Sequence, residues 1–184
     1  MPRSRARTAS LTRDDWVSAG IEALEKSGFL SVRADALARK LGVSRGSFYW
    51  HFSDVAAYEQ ALLDRWRDMV LGALDTPLAD GETQLDRFRM IMQRSLQSKR
   101  RLETAFRAWA TVNPRVQAAL RRVDANREAY MARLLAWPGR ADAATMARAR
   151  IAYWSYLGRA MSADLTEPEV NAIVDALFEL ASGQ

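Results

Sequence analysis

The stretch SVRADALARKLGVSRGSFYWHF, residues 31–52, constrains the fold of this chain more than any other part of it. Val32, Ala36, Leu37 and Leu41 recur at three-to-four spacing and predict a half-buried helix over about Val32–Lys40. Ser31 stands where it could cap that helix. Gly42 ends it, because a residue without Cβ enters the left-handed conformation of a helix stop at little cost. Val43 then fills the corner, and Ser44 is expected to cap the next helix by accepting a bond from one of its first amides. That second helix, about Arg45–Phe52, opens on Gly46 and Ser47 and closes on Phe48, Tyr49, Trp50, His51 and Phe52. A core helix rarely joins a small, polar start to an aromatic end. A helix laid against the floor of a groove needs both, and the pair reads as a helix-turn-helix.

The remainder of the chain also reads as helix. Thr12, with Asp15 three residues on, forms a capping box, and a Leu11–Trp16 contact would staple the start of a helix ending at Gly28. Its expected inner face is Trp16, Ala19, Ile21, Ala23 and Leu24. A long helix follows over about Val55–Leu74, with Ala61, Leu62, Trp66, Met69 and Val70 inside. After the loop Asp75–Thr83, helices are expected at about 84–99, 100–112, 115–136, 141–163 and 168–182, punctuated by Asn113-Pro114, Pro138-Gly139 and Glu167-Pro168. No period-two run is long enough for a sheet. The expected fold is all-α: a basic disordered arm (1–10), a three-helix helix-turn-helix domain (11–54) and a helical ligand-binding and dimerisation domain (55–184), about nine helices in total.

Charge points to the same segment. Residues 1–52 hold nine basic and five acidic side chains, a net +4, out of +5 for the whole chain. A positive excess on the segment that carries the motif suits a polyanionic partner. There are no cysteines, so disulfides and thiolate metal sites are excluded, and the single histidine has no second metal ligand of its kind. No apolar run approaches the ~20 residues of a membrane span. No paired nucleophile and base, phosphate-cradling glycine loop or metal spacing suggests an enzyme. The expectation is a cytoplasmic protein without metal or cofactor.

Gly28, Ala38, Gly42-Val43-Ser44, Arg45-Gly46 and Tyr49-x-His51-Phe52, in this order behind a capped first helix, resemble the TetR family of bacterial transcriptional repressors. The resemblance covers about residues 11–63. It implies a homodimer that binds a palindromic operator in double-stranded DNA and responds to a small molecule. It further implies that Arg45 and Ser47 reach base edges or phosphate, that Gly46 lets the backbone approach the duplex, and that Tyr49 and His51 hold phosphate. Ser31, Arg33 and Ser44 join this set as contacts that position the protein rather than choose sequence. Two positions depart from the family's habit. Trp50 stands where relatives are often basic or polar, and could meet a thymine methyl or a sugar. Val55 stands where relatives commonly place a phosphate-binding lysine. These departures leave room for a rival reading, a ligand- or protein-binding helical module with a weakened DNA-binding head.

Two further expectations concern the C-terminal part. The eighth helix is apolar around much of its girth, so Ala147, Ile151, Trp154, Gly158 and Met161, with Val170, Ile173, Val174 and Leu177 of the ninth, are expected to form the dimer interface. Phe88, Met92, Phe106, Trp109, Tyr130, Leu134 and Trp137 are expected to line a pocket for an apolar or aromatic effector.

Overall fold

The computed structural model describes residues 11–74, 77–98, 101–136 and 142–182. Among the described residues all regular structure is helical. The helices are α1 (Arg13–Ser27), α2 (Ala34–Leu41), α3 (Arg45–His51), α4 (Val55–Leu71), α5 (Gln84–Gln97), α6 (Arg101–Ala110), α7 (Pro114–Leu135), α8 (Ala143–Arg159) and α9 (Glu167–Ser182). The expected basic arm and the expected pocket residue Trp137 lie outside the described residues.

Local side-chain chemistry sets most of the starts. The Thr12 and Thr83 hydroxyls accept from the Asp15 and Asp86 amides at 3.2 and 3.1 Å, and each carboxylate accepts from the threonine amide in return. Asn113 caps α7 ahead of Pro114, and Asp142 caps α8. The start of α2 differs from the sequence expectation. Phe29–Ser31 coil first into a 3-10 turn, and the Ser31 hydroxyl lies 2.9 Å from the Ala23 carbonyl and 2.6 Å from that of Gly28. Arg33 therefore occupies the cap position of α2, with no side-chain bond to it.

The packing forms two units, one ending at Trp66 and the other beginning at Arg67. The division thus falls within α4 rather than at the expected 54/55. In the first unit Tyr58, Ala61, Leu62, Leu63 and Trp66 of α4 are buried; Met69, expected inside, falls in the second unit and is 55% exposed. Val17 and Gly20, rather than the half-buried Ile21, complete the inner face of α1. Gly20 is required there: an added Cβ would overlap the Tyr58 hydroxyl and stand 2.8 Å from Leu62 Cδ2. On α2 the inner residues are Leu37 and Ala38, not Ala36.

In the second unit α7 lies along α6 and α8, and α5 packs against α7 and α9. Phe88, Met92 and Leu96 of α5 meet Tyr130, Met131 and Leu134 of α7, with Ala149 and Ala152 allowing α8 to come close. Val170, Val174 and Leu177 of α9 are buried in this same core, and Ile173 packs against it. These four contribute to the chain's own interior rather than to an outer face.

Candidate nucleic-acid interface

α3 is held from beneath by rings. Phe48 is fully buried, with its ring centroid 5.4 Å from Trp16, 5.2 Å from Phe52 and 5.2 Å from Tyr58. Phe52, at the C-cap of α3, lies 4.8 Å from Tyr58 and carries the Arg13 guanidinium over its other side at 5.1 Å. The Tyr58 hydroxyl donates to the Trp16 carbonyl at 2.8 Å, and burial pushes its pKa well above the usual tyrosine range. Edge-to-face ring pairs of this kind fix orientation as well as burying area. The turn behind α3 is closed by Gly42 at φ 69°, and the Val43 amide bonds back to the Ala38 carbonyl at 3.0 Å.

The opposite side of α3 is exposed. Arg45, Gly46, Tyr49 and Trp50 all face water, Trp50 at 89% exposure. Arg45 Nη2 donates to the Tyr49 hydroxyl at 3.3 Å, which leaves that hydroxyl's own hydrogen for an outside acceptor. Gly46 has no role in the packing beneath, since an added Cβ would meet only Ser44 Oγ at 3.6 Å, an ordinary contact. A helical glycine costs about 0.5–1 kcal/mol relative to alanine, so its use here is not explained by the fold.

The other expected contacts divide. Ser44 is the N-cap of α3, but its side chain makes no cap bond; the closure is backbone, Ser47 N–H to the Ser44 carbonyl at 3.0 Å. Ser47 and His51 are half-buried. His51 stands near Asp15, whose carboxyl is held below its ordinary value mainly by the Thr12 amide and hydroxyl, with a smaller part from the histidine's charge. Arg33 is exposed and pairs with Asp35 at 3.3 Å. Ser31 is poorly suited to donate to a phosphate, because its hydroxyl hydrogen is already directed at main-chain carbonyls. Val55 is 45% exposed at the start of α4, where it offers no charge. Among the described residues no group of His, Asp or Glu is placed to hold a metal ion, and no helix is long and apolar enough to cross a membrane.

The second unit contains a cavity of about 570 Å³. Its expected lining is largely corrected: of the expected residues that the structure describes, only Met92 borders it. Phe88, Phe106, Trp109, Tyr130 and Leu134 are buried in packing instead, Phe106 stacked on Trp109 with centroids 6.1 Å apart. The walls come from the end of α4, the segment 79–82 and α5, α7 and α8. One wall carries a polar cluster that sequence reasoning did not foresee. Glu103 of α6, 5% exposed, accepts from Arg107 at 2.9 Å, Arg127 at 3.1 Å and Tyr156 at 3.1 Å. Asp124 accepts from Arg107 at 2.8 Å and from the Tyr153 hydroxyl at 2.5 Å. Burial, the largest single influence, opposes the charge on Arg127, but the Glu103 carboxylate together with the Tyr156 and Tyr153 phenols outweighs it and keeps the guanidinium charged. Arg127, Tyr153 and Tyr156 form the inner end of the cavity.

Ala147, Ile151, Trp154 and Gly158 of α8, and Met161 just beyond its end, are all exposed, Trp154 at 58% and Met161 at 90%. They form one apolar stripe along the helix.

Residues 17–56 match the model of the family described as "Bacterial regulatory proteins, tetR family". The HTH-type transcriptional regulator SrpR of Pseudomonas putida is 38% identical over 63 residues, which are 34% of this chain and 30% of that protein. The aligned segment therefore spans less than a third of that relative. Over nearly the whole length the likeness is one of fold. GusR of Salmonella enterica superposes with a TM-score of 0.74 at 19% identity, covering 95% of this chain and 98% of that one. BioQ, solved with its natural double-stranded DNA operator, gives 0.51 at 22% identity, covering 95% and 99%.

Proposed function

We infer that this chain, whose residues 17–56 carry the sequence of the tetR family of bacterial regulatory proteins, is a transcriptional regulator that reads double-stranded DNA with α3. The two-sidedness of α3 carries this reading. Phe48 and Phe52 anchor it, while Arg45, Gly46, Tyr49 and Trp50 are presented outward. Arg45 opens the helix with a guanidinium that suits guanine edges or phosphate, and Gly46 brings the backbone close to the groove. Ser44, Ser47, Tyr49 and His51 supply donors for the flanking phosphates, with Arg33 in reach once it gives up Asp35.

One α3 spans only a few base pairs. The regulator acts as a homodimer on a palindromic operator, its two heads about 34–36 Å apart or a multiple of that. The exposed apolar stripe of Ala147, Ile151, Trp154 and Gly158 on α8, continued by Met161 just past its end, supports such pairing. Regulation is repression in the cytoplasm, relieved by a small molecule in the second unit that binds more tightly to the dimer with the wrong head spacing; equal affinity for both forms would switch nothing.

Selection of bound duplexes from a randomised pool tests the whole reading. A twofold-symmetric site is expected, with affinity falling steeply and linearly in log–log form as salt rises. Recovery of no preferred sequence, with affinity indifferent to salt, sinks it in favour of a helical module whose head no longer binds DNA.

A further inference from the structure

We propose that the cavity of the second unit takes an amphiphilic anion: one carboxylate or sulfonate on a flexible apolar body. As an effector site this rests on the ligand-responsive reading above; as a binding site it is measured without DNA. The volume, about 570 Å³, lies within the range of small-molecule sites. Much of the wall is methionine and aliphatic, with Met90, Ile91 and Met92 on α5 and Met131 on α7. Unbranched thioether side chains adapt to a body of variable shape.

Charge selects the head group. Among the described residues three arginines line the cavity, Arg87, Arg94 and Arg127, against the one carboxylate of Glu82. Arg87 is committed: its fork meets both Glu82 oxygens at 2.6 Å and the Pro77 carbonyl at 2.7 Å. Arg127 is committed to Glu103 at 3.1 Å and has the Tyr156 ring beneath it. Asp124, behind them, is matched by Arg107. Arg94 is the cation left over. It is exposed, and among the described residues it forms no ion pair within 4.0 Å. It follows Met90 by one helical turn, so a head group at Arg94 leaves the body against the methionine wall. Ser95, also in the lining, brings a hydroxyl to the same edge. Among the described residues every carboxylate at the site is already bound by a guanidinium, so these offer a cationic ligand no counter-charge.

The test uses decanoate and decanamide, equal in body and different in charge, titrated calorimetrically into the full chain without DNA. Decanoate is expected to bind about tenfold more tightly than decanamide, the difference shrinking in high salt. Arg94→Gln should erase that ratio while leaving decanamide unchanged. Arg121→Gln, an exposed arginine outside the cavity, should leave both ligands unchanged. Equal affinities in the unaltered protein, no binding of either compound, or a ratio that survives Arg94→Gln overturns the proposal. None of these outcomes depends on operator binding, so failure of the regulator reading is seen separately, in the duplex selection.

Discussion

Gly46 is the residue at which the fold and the proposed function make opposite demands. Its first-turn position has room for a methyl group, 3.6 Å from Ser44 Oγ. Gly46→Ala is therefore expected to stabilise the free protein by up to about 1 kcal/mol, and to weaken operator binding by at least about tenfold, or ~1.4 kcal/mol. Thermal melts and fluorescence anisotropy on one preparation check both signs; a variant that is more stable and binds unchanged would remove Gly46 from the interface. Its neighbours separate by chemistry. Arg45→Ala should cost about 1–3 kcal/mol and relax the choice of base at one position, whereas Tyr49→Phe should weaken all sequences alike. Binding to an operator panel with each base substituted in turn distinguishes the two, and identical profiles would contradict the assignment.

At the scale of elements, the polar cluster joining α6, α7 and α8 is the feature with the largest stake in stability. Glu103 is buried among two guanidiniums and a phenol, so Glu103→Ala leaves Arg127 without its carboxylate and should cost about 3–5 kcal/mol in urea unfolding. The Glu82–Arg87 pair gives a pH signature. The fork from Arg87, then the Ala79 amide, lower the Glu82 carboxyl from 4.5 to about 2. Since the folded value lies below the ordinary one, the pair adds stability that is complete above about pH 4.5 and is lost as pH falls toward 2. Glu82→Gln should remove that slope from a plot of melting temperature against pH. The cap of α1 and the start of α7 were legible in the sequence, because Thr12 with Asp15 and Asn113 before Pro114 act within one turn. So was the anchoring of α3 by Phe48 and Phe52. The cluster was not, since Glu103, Asp124, Arg127, Tyr153 and Tyr156 meet only after three helices pack. The cavity was misread for a physical reason: large rings such as Phe88, Phe106 and Trp109 fill space rather than leave it, and the void lies beside thinner methionine chains. Val170, Val174 and Leu177 show the matching limit for surfaces, because an apolar stripe does not say which neighbour it meets.

For the whole molecule, the proposed consequence of the exposed apolar stripe on α8 is assembly into a dimer. Trp154→Glu should leave the protomer folded, given 58% exposure, and turn a dimer into a monomer in sedimentation. Operator affinity should fall with it, because two linked heads bind far more tightly than one. A monomeric unaltered protein would end the dimeric account at once. The cavity also bears on how a lineage of such chains could diversify. Its inner end, Arg127 with Tyr153 and Tyr156, is locked by the same bonds that hold three helices together, so substitutions there threaten survival of the fold. Its outer edge at Arg94 carries no such duty. Under the proposed effector reading, descendants of this chain are thus free to exchange one chemical signal for another by altering the rim, while the floor of the chamber is inherited intact.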